Sequence, residues 1–348
     1  MRNEYLIPLY VEGENKAIFY CDSKKVEVTR ESIKKTIDLF LENLQGDDIY
    51  KEVGFFGGNF TALEEEKQEE LLETVNEYIK DGKIDSIRIS TSPNTISKAN
   101  LKMLKKYKVQ TIELSVQTSN DYILGKCKAE YKFNDVKKAS KLIRRKGFIL
   151  GYQIMVGLPE STMLDELNTA RDLLKLKPKL VRIYPLVVIA NSELANQYEN
   201  EEFVPLTINQ AVERCKELYY FFNKKKINQI HMGYKNADLT MNLKNKQIIA
   251  GPYQKNFDQL VEDSIWYDSI VEKIKQFNVK VKEVEVRVNS ANATNVVGFT
   301  NENLKKLKDF YDVDLKVVKD DDIIPGKFNI KILKTYTDFI EDGRKQKA

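Results

Sequence analysis

A short apolar strand followed by an amphipathic helix recurs about every thirty residues, and this alternation constrains the fold more than any single residue. Strands are read at Tyr5–Val11, Glu52–Phe56, Asp85–Thr91, Gln110–Gln117, Ile149–Val156, Leu180–Val188 and Asn228–Met232. Helical stripes lie between them. Ile33, Ile37, Phe40, Leu41 and Leu44 follow an N-cap at Thr29, and Leu71, Leu72, Val75, Tyr78 and Ile79 stop at Gly82. Further helices start at Ser97, at Asn134 (ending at Gly147), around Leu164 and at Thr207. Six or seven such units in series predict a parallel sheet with right-handed crossovers.

Strand composition separates an open sheet from a barrel. A parallel strand covered on both faces is apolar throughout. Here Glu113, Ser115 and Gln117 share one face, Arg88 and Ser90 share another, Gln153 interrupts an apolar run, and Arg182 and Tyr184 alternate with Val181 and Ile183. Several polar faces need one common space, which a wide, incompletely closed barrel provides. The barrel is expected over residues 1–275, a small α+β unit over 276–335 and a charged tail over 336–348.

Composition narrows the classes of function. A chain of 348 residues with 42% apolar and 31% charged residues suits a folded globular protein. Three cysteines exclude a disulfide scaffold, and one histidine, His231, argues against a histidine metal site or a Ser-His-Asp triad. No apolar run approaches the ~18 residues of a membrane span, so a cytoplasmic location is expected, with no membrane partner. Net charge is +4, from 56 basic and 52 acidic residues, too balanced to declare a nucleic-acid binder.

The candidate binding residues cluster at strand C-termini, where ligands of such folds bind. Gly57, Gly58 and Asn59 follow the second strand, and a tight turn explains them equally well. Ser90 ends the third strand; Glu113 and Gln117 point into the supposed lumen, where an internal ion pair with Arg182 is the plainer reading. Gln153 and Gly157 end the fifth strand, before a proline turn. Acid–base work by Glu113, Arg182 and Tyr184 is a further reading that no spacing singles out.

The segments GFFGGNFTAL, RISTSPN, TIELSVQTSNDYIL, GYQIMVGLPEST, VRIYPLVVIANSELANQYE and AGPYQKNFDQLVEDSI resemble the radical S-adenosylmethionine proteins related to the catalytic subunit of Elongator. The resemblance runs from about Tyr5 to Ile332 and implies a partial (β/α)6 TIM-like barrel of radical SAM type. It implies S-adenosylmethionine and a 4Fe–4S cluster at the barrel mouth, with Gly57, Gly58, Asn59, Ser90, Glu113, Gln117, Gln153, Gly157 and Arg182 as the cofactor site. Its best-known members modify the wobble uridine of tRNA with an additional acetyltransferase domain. This chain is expected to resemble the shorter bacterial type without that domain.

The departures from the family matter more. The cluster needs Cys-x-x-x-Cys-x-x-Cys after the first strand, three thiolates for three irons. Only Cys21 is present there. If it is the last ligand, the other positions hold Glu14 and Ile18; if the first, Lys25 and Val28. The Ser-Thr-Arg-Pro-Asp stretch reads Ser90-Thr91-Ser92-Pro93-Asn94, and Ala129-Glu130-Tyr131 stands for Arg-Gly-His. The expectation is a pseudoenzyme without cluster or radical activity that binds RNA or S-adenosylmethionine or assists an active relative. The alternative is an active radical enzyme on tRNA with unusual ligands, such as Cys21, Cys127 and Glu14.

The C-terminal unit gives a separate lead. Val296 to Leu307 resembles the helix–loop–helix of a KH module, whose GXXG loop clamps a nucleic-acid backbone. Gly298 is kept and Asn301 replaces the second glycine, with Lys305 and Lys306 just beyond. These four are the RNA-contact candidates; a small cap with solvated lysines is the plainer reading.

Overall fold

The polar strand faces have their counterpart in the register of a seven-stranded parallel sheet. The structure, a computed structural model, describes residues 3–11, 28–44, 48–227, 229–234 and 248–337. Two compact units divide the chain, one ending at Lys255 and one starting at Asn256.

In the first unit the elements follow in order as β1 (Asn3–Tyr10), α1 (Arg30–Glu42), β2 (Ile49–Phe56), α2 (Glu65–Lys80), β3 (Ser86–Thr91), α3 (Lys98–Lys106), β4 (Val109–Gln117), α4 (Asp121–Lys126) and α5 (Phe133–Arg145). There follow β5 (Ile149–Val156), α6 (Met163–Leu174), β6 (Leu180–Pro185), β7 (Val188–Ile189), α7 (Glu193–Glu199), α8 (Ile208–Lys224), β8 (Gln229–Met232) and β9 (Ile248–Ala250). The sheet order is β1-β2-β3-β4-β5-β6-β8, all parallel. This is the expected partial barrel, and its seventh strand, β8, is the one read at Asn228–Met232. Across its opening, Gln229 Nε2 of β8 donates to Glu4 Oε2 of β1 at 2.7 Å.

Period-2 alternation decides which side of each strand meets what. Val53, Phe55, Ile87, Ile89, Ile112, Leu114, Ile154 and Ile183 face the helices and are buried, as are Ile37, Leu71, Leu104, Ile143 and Leu173 on the helix side. Each such side chain contributes roughly 1.5–3 kcal/mol on burial. Thr29, Ser97, Thr162 and Thr207 each accept from the third residue of their helix and close capping boxes.

Two readings are corrected. Leu180–Val188 is not one strand: β6 ends at Pro185, and Val188–Ile189 pairs antiparallel with Ile248–Ala250. Proline lacks the N–H needed to continue the ladder. The helix read from Asn134 begins at Phe133, behind Lys132.

The second unit holds α9 (Phe257–Lys275), β10 (Val281–Val288), α10 (Ala293–Val297), α11 (Glu302–Tyr311), β11 (Asp314–Lys319) and β12 (Phe328–Thr335). Its sheet runs β11-β10-β12, parallel on one side and antiparallel on the other. Residues 257–275, assigned by sequence to the barrel, belong here: Ile270 and Val271 share a core with Val286, Val288, Ala293, Val296 and Leu307. The expected tail past residue 337 lies outside the described residues.

Candidate functional site

The barrel lumen gathers the side chains that alternation turned away from the helices. Arg88 lies at its centre. Its Nε donates to Glu52 Oε2 at 2.6 Å and its Nη1 to Glu113 Oε1 at 2.8 Å. Arg182 Nε donates to Glu113 Oε2 at 2.9 Å, and its guanidinium lies 5.0 Å from the centre of the Phe56 ring. Gln153 Nε2 donates to the same Glu113 Oε2 at 2.9 Å, while its Oε1 accepts from Ser115 at 2.9 Å and Ser90 at 3.2 Å. Two carboxylates and two guanidiniums thus neutralise one another inside the barrel.

Glu113 is fully buried. Burial pushes its carboxyl up, but Arg182 and then Arg88 outweigh it and hold the group below the usual carboxylate range. Gly151 makes the space: a Cβ there would meet Leu180 Cδ1 at 2.6 Å and Glu113 Cγ at 3.0 Å.

Ser90, Glu113, Gln153 and Arg182, predicted separately, therefore meet in one network. The plainer reading of Glu113, an internal ion pair with Arg182, is what the geometry shows. Sequence reasoning missed Glu52, although Glu52, Gly54 and Phe56 alternate on one face of β2 and signalled it. Gln117 sits at φ 61 after an irregularity in the β4–β5 ladder. Tyr184 packs its ring against Tyr234 at 5.2 Å.

The loops at the mouth are tied internally. Asn59 Oδ1 accepts from Thr91 Oγ1 at 2.5 Å, Thr95 Oγ1 at 2.9 Å and the Ser92 N–H at 3.0 Å, lacing the β2 and β3 loops together. The Gly157 N–H donates to Glu166 Oε1 at 2.8 Å, which also accepts from Arg214 at 2.8 Å. Gly57, exposed at φ 89, and Gly58 leave backbone open at the end of β2.

The cluster's donor set is not met by the described thiols. Cys127 ends α4 fully buried among Ile123, Leu158, Leu186, Val188 and Phe203, and burial pushes its thiol up to about 12. Cys215 is buried on α8 and likewise pushed up. Cys21 and Glu14 lie outside the described residues. Among the described residues no group of three His, Cys, Asp or Glu side chains is placed to hold a metal ion. These residues do not fit a three-thiolate cluster.

In the C-terminal unit, the turn between α10 and α11 has Gly298 at φ 77 and Asn301 left-handed at φ 64. Asp263 accepts the Phe299 N–H at 2.8 Å and steadies the turn. Lys306 pairs with Glu302 at 2.8 Å, whereas Lys305 is exposed.

A half-barrel of parallel strands with this loop arrangement defines a class, and the sequence comparisons agree with it. Two radical SAM profiles match the chain: that of the radical SAM superfamily over residues 19–173 and that of the radical SAM C-terminal domain over 178–267. It is 30% identical over 155 residues to a tRNA uridine(34) acetyltransferase of Methanocaldococcus infernus, covering 43% of this chain but 28% of that protein. An uncharacterised protein of Methanocaldococcus jannaschii is 27% identical over 205 residues, 58% of this chain and 61% of that protein. Among solved structures, Methanocaldococcus infernus Elp3 with an N-terminal deletion superposes with a TM-score of 0.59 at 21% identity, covering 78% of this chain and 64% of that one. The match thus spans under two thirds of each of these proteins. Among the described residues no helix is long and apolar enough to cross a membrane.

Proposed function

We propose that this chain is a cytoplasmic radical-SAM-fold protein that works without a three-thiolate 4Fe–4S cluster, and hence without radical chemistry, as an RNA-binding protein. The observation that carries the first part is the thiol inventory. The sequence has three cysteines, and two of them are buried, protonated and packed in separate surroundings. Thiolates bind iron, and burial in apolar surroundings disfavours the thiolate. The lumen network supports the same reading. Arg182, Glu113 and Gln153, which the family resemblance offers to a cofactor, are committed to one another. The proposed RNA partner rests on the tRNA-directed name of the relative and on the open turn at Gly298–Asn301 with Lys305 beside it. S-adenosylmethionine, if it binds, is proposed to meet the backbone at Gly57 and Gly58.

Iron and acid-labile sulfide per chain, measured after anaerobic purification and reconstitution, test the first part. Values near zero are expected. About four irons per chain overturn it and make Cys21, Cys127 and Glu14 the ligands to mutate.

A further inference from the structure

In a β/α barrel each crossover helix ends where the next strand begins, so the last turns of the helices ring the end opposite the mouth. At that end, α5 and the segment after α6 line a cavity of about 440 Å³, with Lys137, Lys141, Arg144, Arg145 and Lys175 around it. Lys175 has a partner, Asp172 at 2.7 Å. Among the described residues, Lys141, Arg144 and Arg145 have no acidic partner at ion-pair distance, and all three are exposed. The Lys179 N–H donates to Leu150 O at 2.9 Å, which brings the cations after α6 beside the start of β5 and the end of α5.

A helix C-terminus is stabilised by one or two cations in its last turn. That need accounts for Arg144 and Arg145 but not for Lys137 and Lys141, further back on the same stripe. At a rise of 1.5 Å per residue, Lys137 to Arg145 spans about 12 Å. A single compact anion cannot reach all of it; a string of phosphates does.

We infer that this basic groove at the strand-N-terminal end of the barrel is a binding surface for the phosphate backbone of RNA. The inference rests on the RNA reading above and deepens it: RNA is held at the far end from the mouth, where the scaffold grips it without acting on it. Contacts of this kind are sequence-independent and salt-sensitive.

The test is fluorescence anisotropy of labelled tRNA with the full chain across a salt series. It compares wild type with the triple variant Lys141→Glu, Arg144→Glu, Arg145→Glu and with Lys305→Glu, Lys306→Glu. Thermal melts confirm that the triple variant, changed only at exposed positions, is folded. The triple variant is expected to bind about tenfold or more weaker, with the salt slope shallower by about two. Wild-type binding that the triple variant retains overturns the groove and leaves the RNA reading standing; loss only in the Lys305, Lys306 variant assigns the RNA to the C-terminal turn with the same consequence. No tRNA binding by wild type overturns both. Co-sedimentation with phosphatidylserine vesicles without tRNA binding makes the surface a lipid site, and displacement of tRNA by micromolar pyrophosphate makes it a small-anion pocket; either overturns the inference.

Discussion

Arg182 on β6 reaches across β5 to place its Nε 2.9 Å from Glu113 Oε2 on β4. The bond ties two strands that share no ladder, deep inside the barrel. Removing one partner of such a pair strands the other charge. Glu113→Leu is expected to lower unfolding free energy by about 3–5 kcal/mol in urea titrations at neutral pH. Adding Arg182→Leu restores neutrality inside the barrel, so the double variant is expected to be more stable than Glu113→Leu alone.

The same pair sets an acid limit. Burial raises the Glu113 carboxyl, Arg182 and Arg88 lower it further, and the net direction is down. A folded value below the unfolded one, about 4.3, makes the contribution complete above that pH and lost as pH falls through the folded value. Unfolding titrations from neutral pH to about 3 are expected to show a decline that is shallower in Glu113→Gln. An equal decline in both proteins rejects the assignment.

The buried thiols give a chemical test. Cys127 is raised to about 12 by burial, and Cys215 is raised too. Neither is expected to react with a disulfide reagent in the native protein at mildly alkaline pH, and both react once unfolded. Mass spectrometry of labelled peptides assigns each site.

The β5 exit depends on one backbone donor. Gly157 is at φ +81, and a Cβ there would lie 2.7 Å from Leu206 Cδ1. Gly157→Ala is expected to cost about 1–2 kcal/mol from the left-handed backbone, plus the shift of Leu206. Glu166→Ala leaves the Gly157 N–H without its acceptor and Arg214 with only the Ser161 carbonyl at 3.4 Å, at a cost of about 2–3 kcal/mol. Thermal unfolding reads both.

The sheet was legible because parallel strands and crossover helices write different periods into the chain, and Thr29, Ser97 and Thr207 mark helix starts chemically. The lumen was legible by alternation, which placed Ser90, Glu113, Gln153 and Arg182 on inner faces. The Glu113–Arg182 pair was legible too, but the other partners were not, since they depend on register. Ser115 bonds Gln153 because the two align across β4 and β5, and no local pattern states it. Asn59 read as a ligand residue because a polar side chain after two glycines looks alike whether it faces a cofactor or the next loop. The basic groove escaped notice because its members are divided between α5 and the segment after α6, and the chain's 52 acidic residues offset them in the sum.

Glu4 and Gln229 have the last consequence. Where a sheet meets itself through a ladder, shear and strand number fix its diameter. Here the described residues join β1 and β8 by the Gln229–Glu4 side-chain bond and by no ladder, and breaking that bond costs about 0.5–1.5 kcal/mol. Among the described residues no ladder closes this sheet on itself, so strand number and shear do not by themselves set its bore.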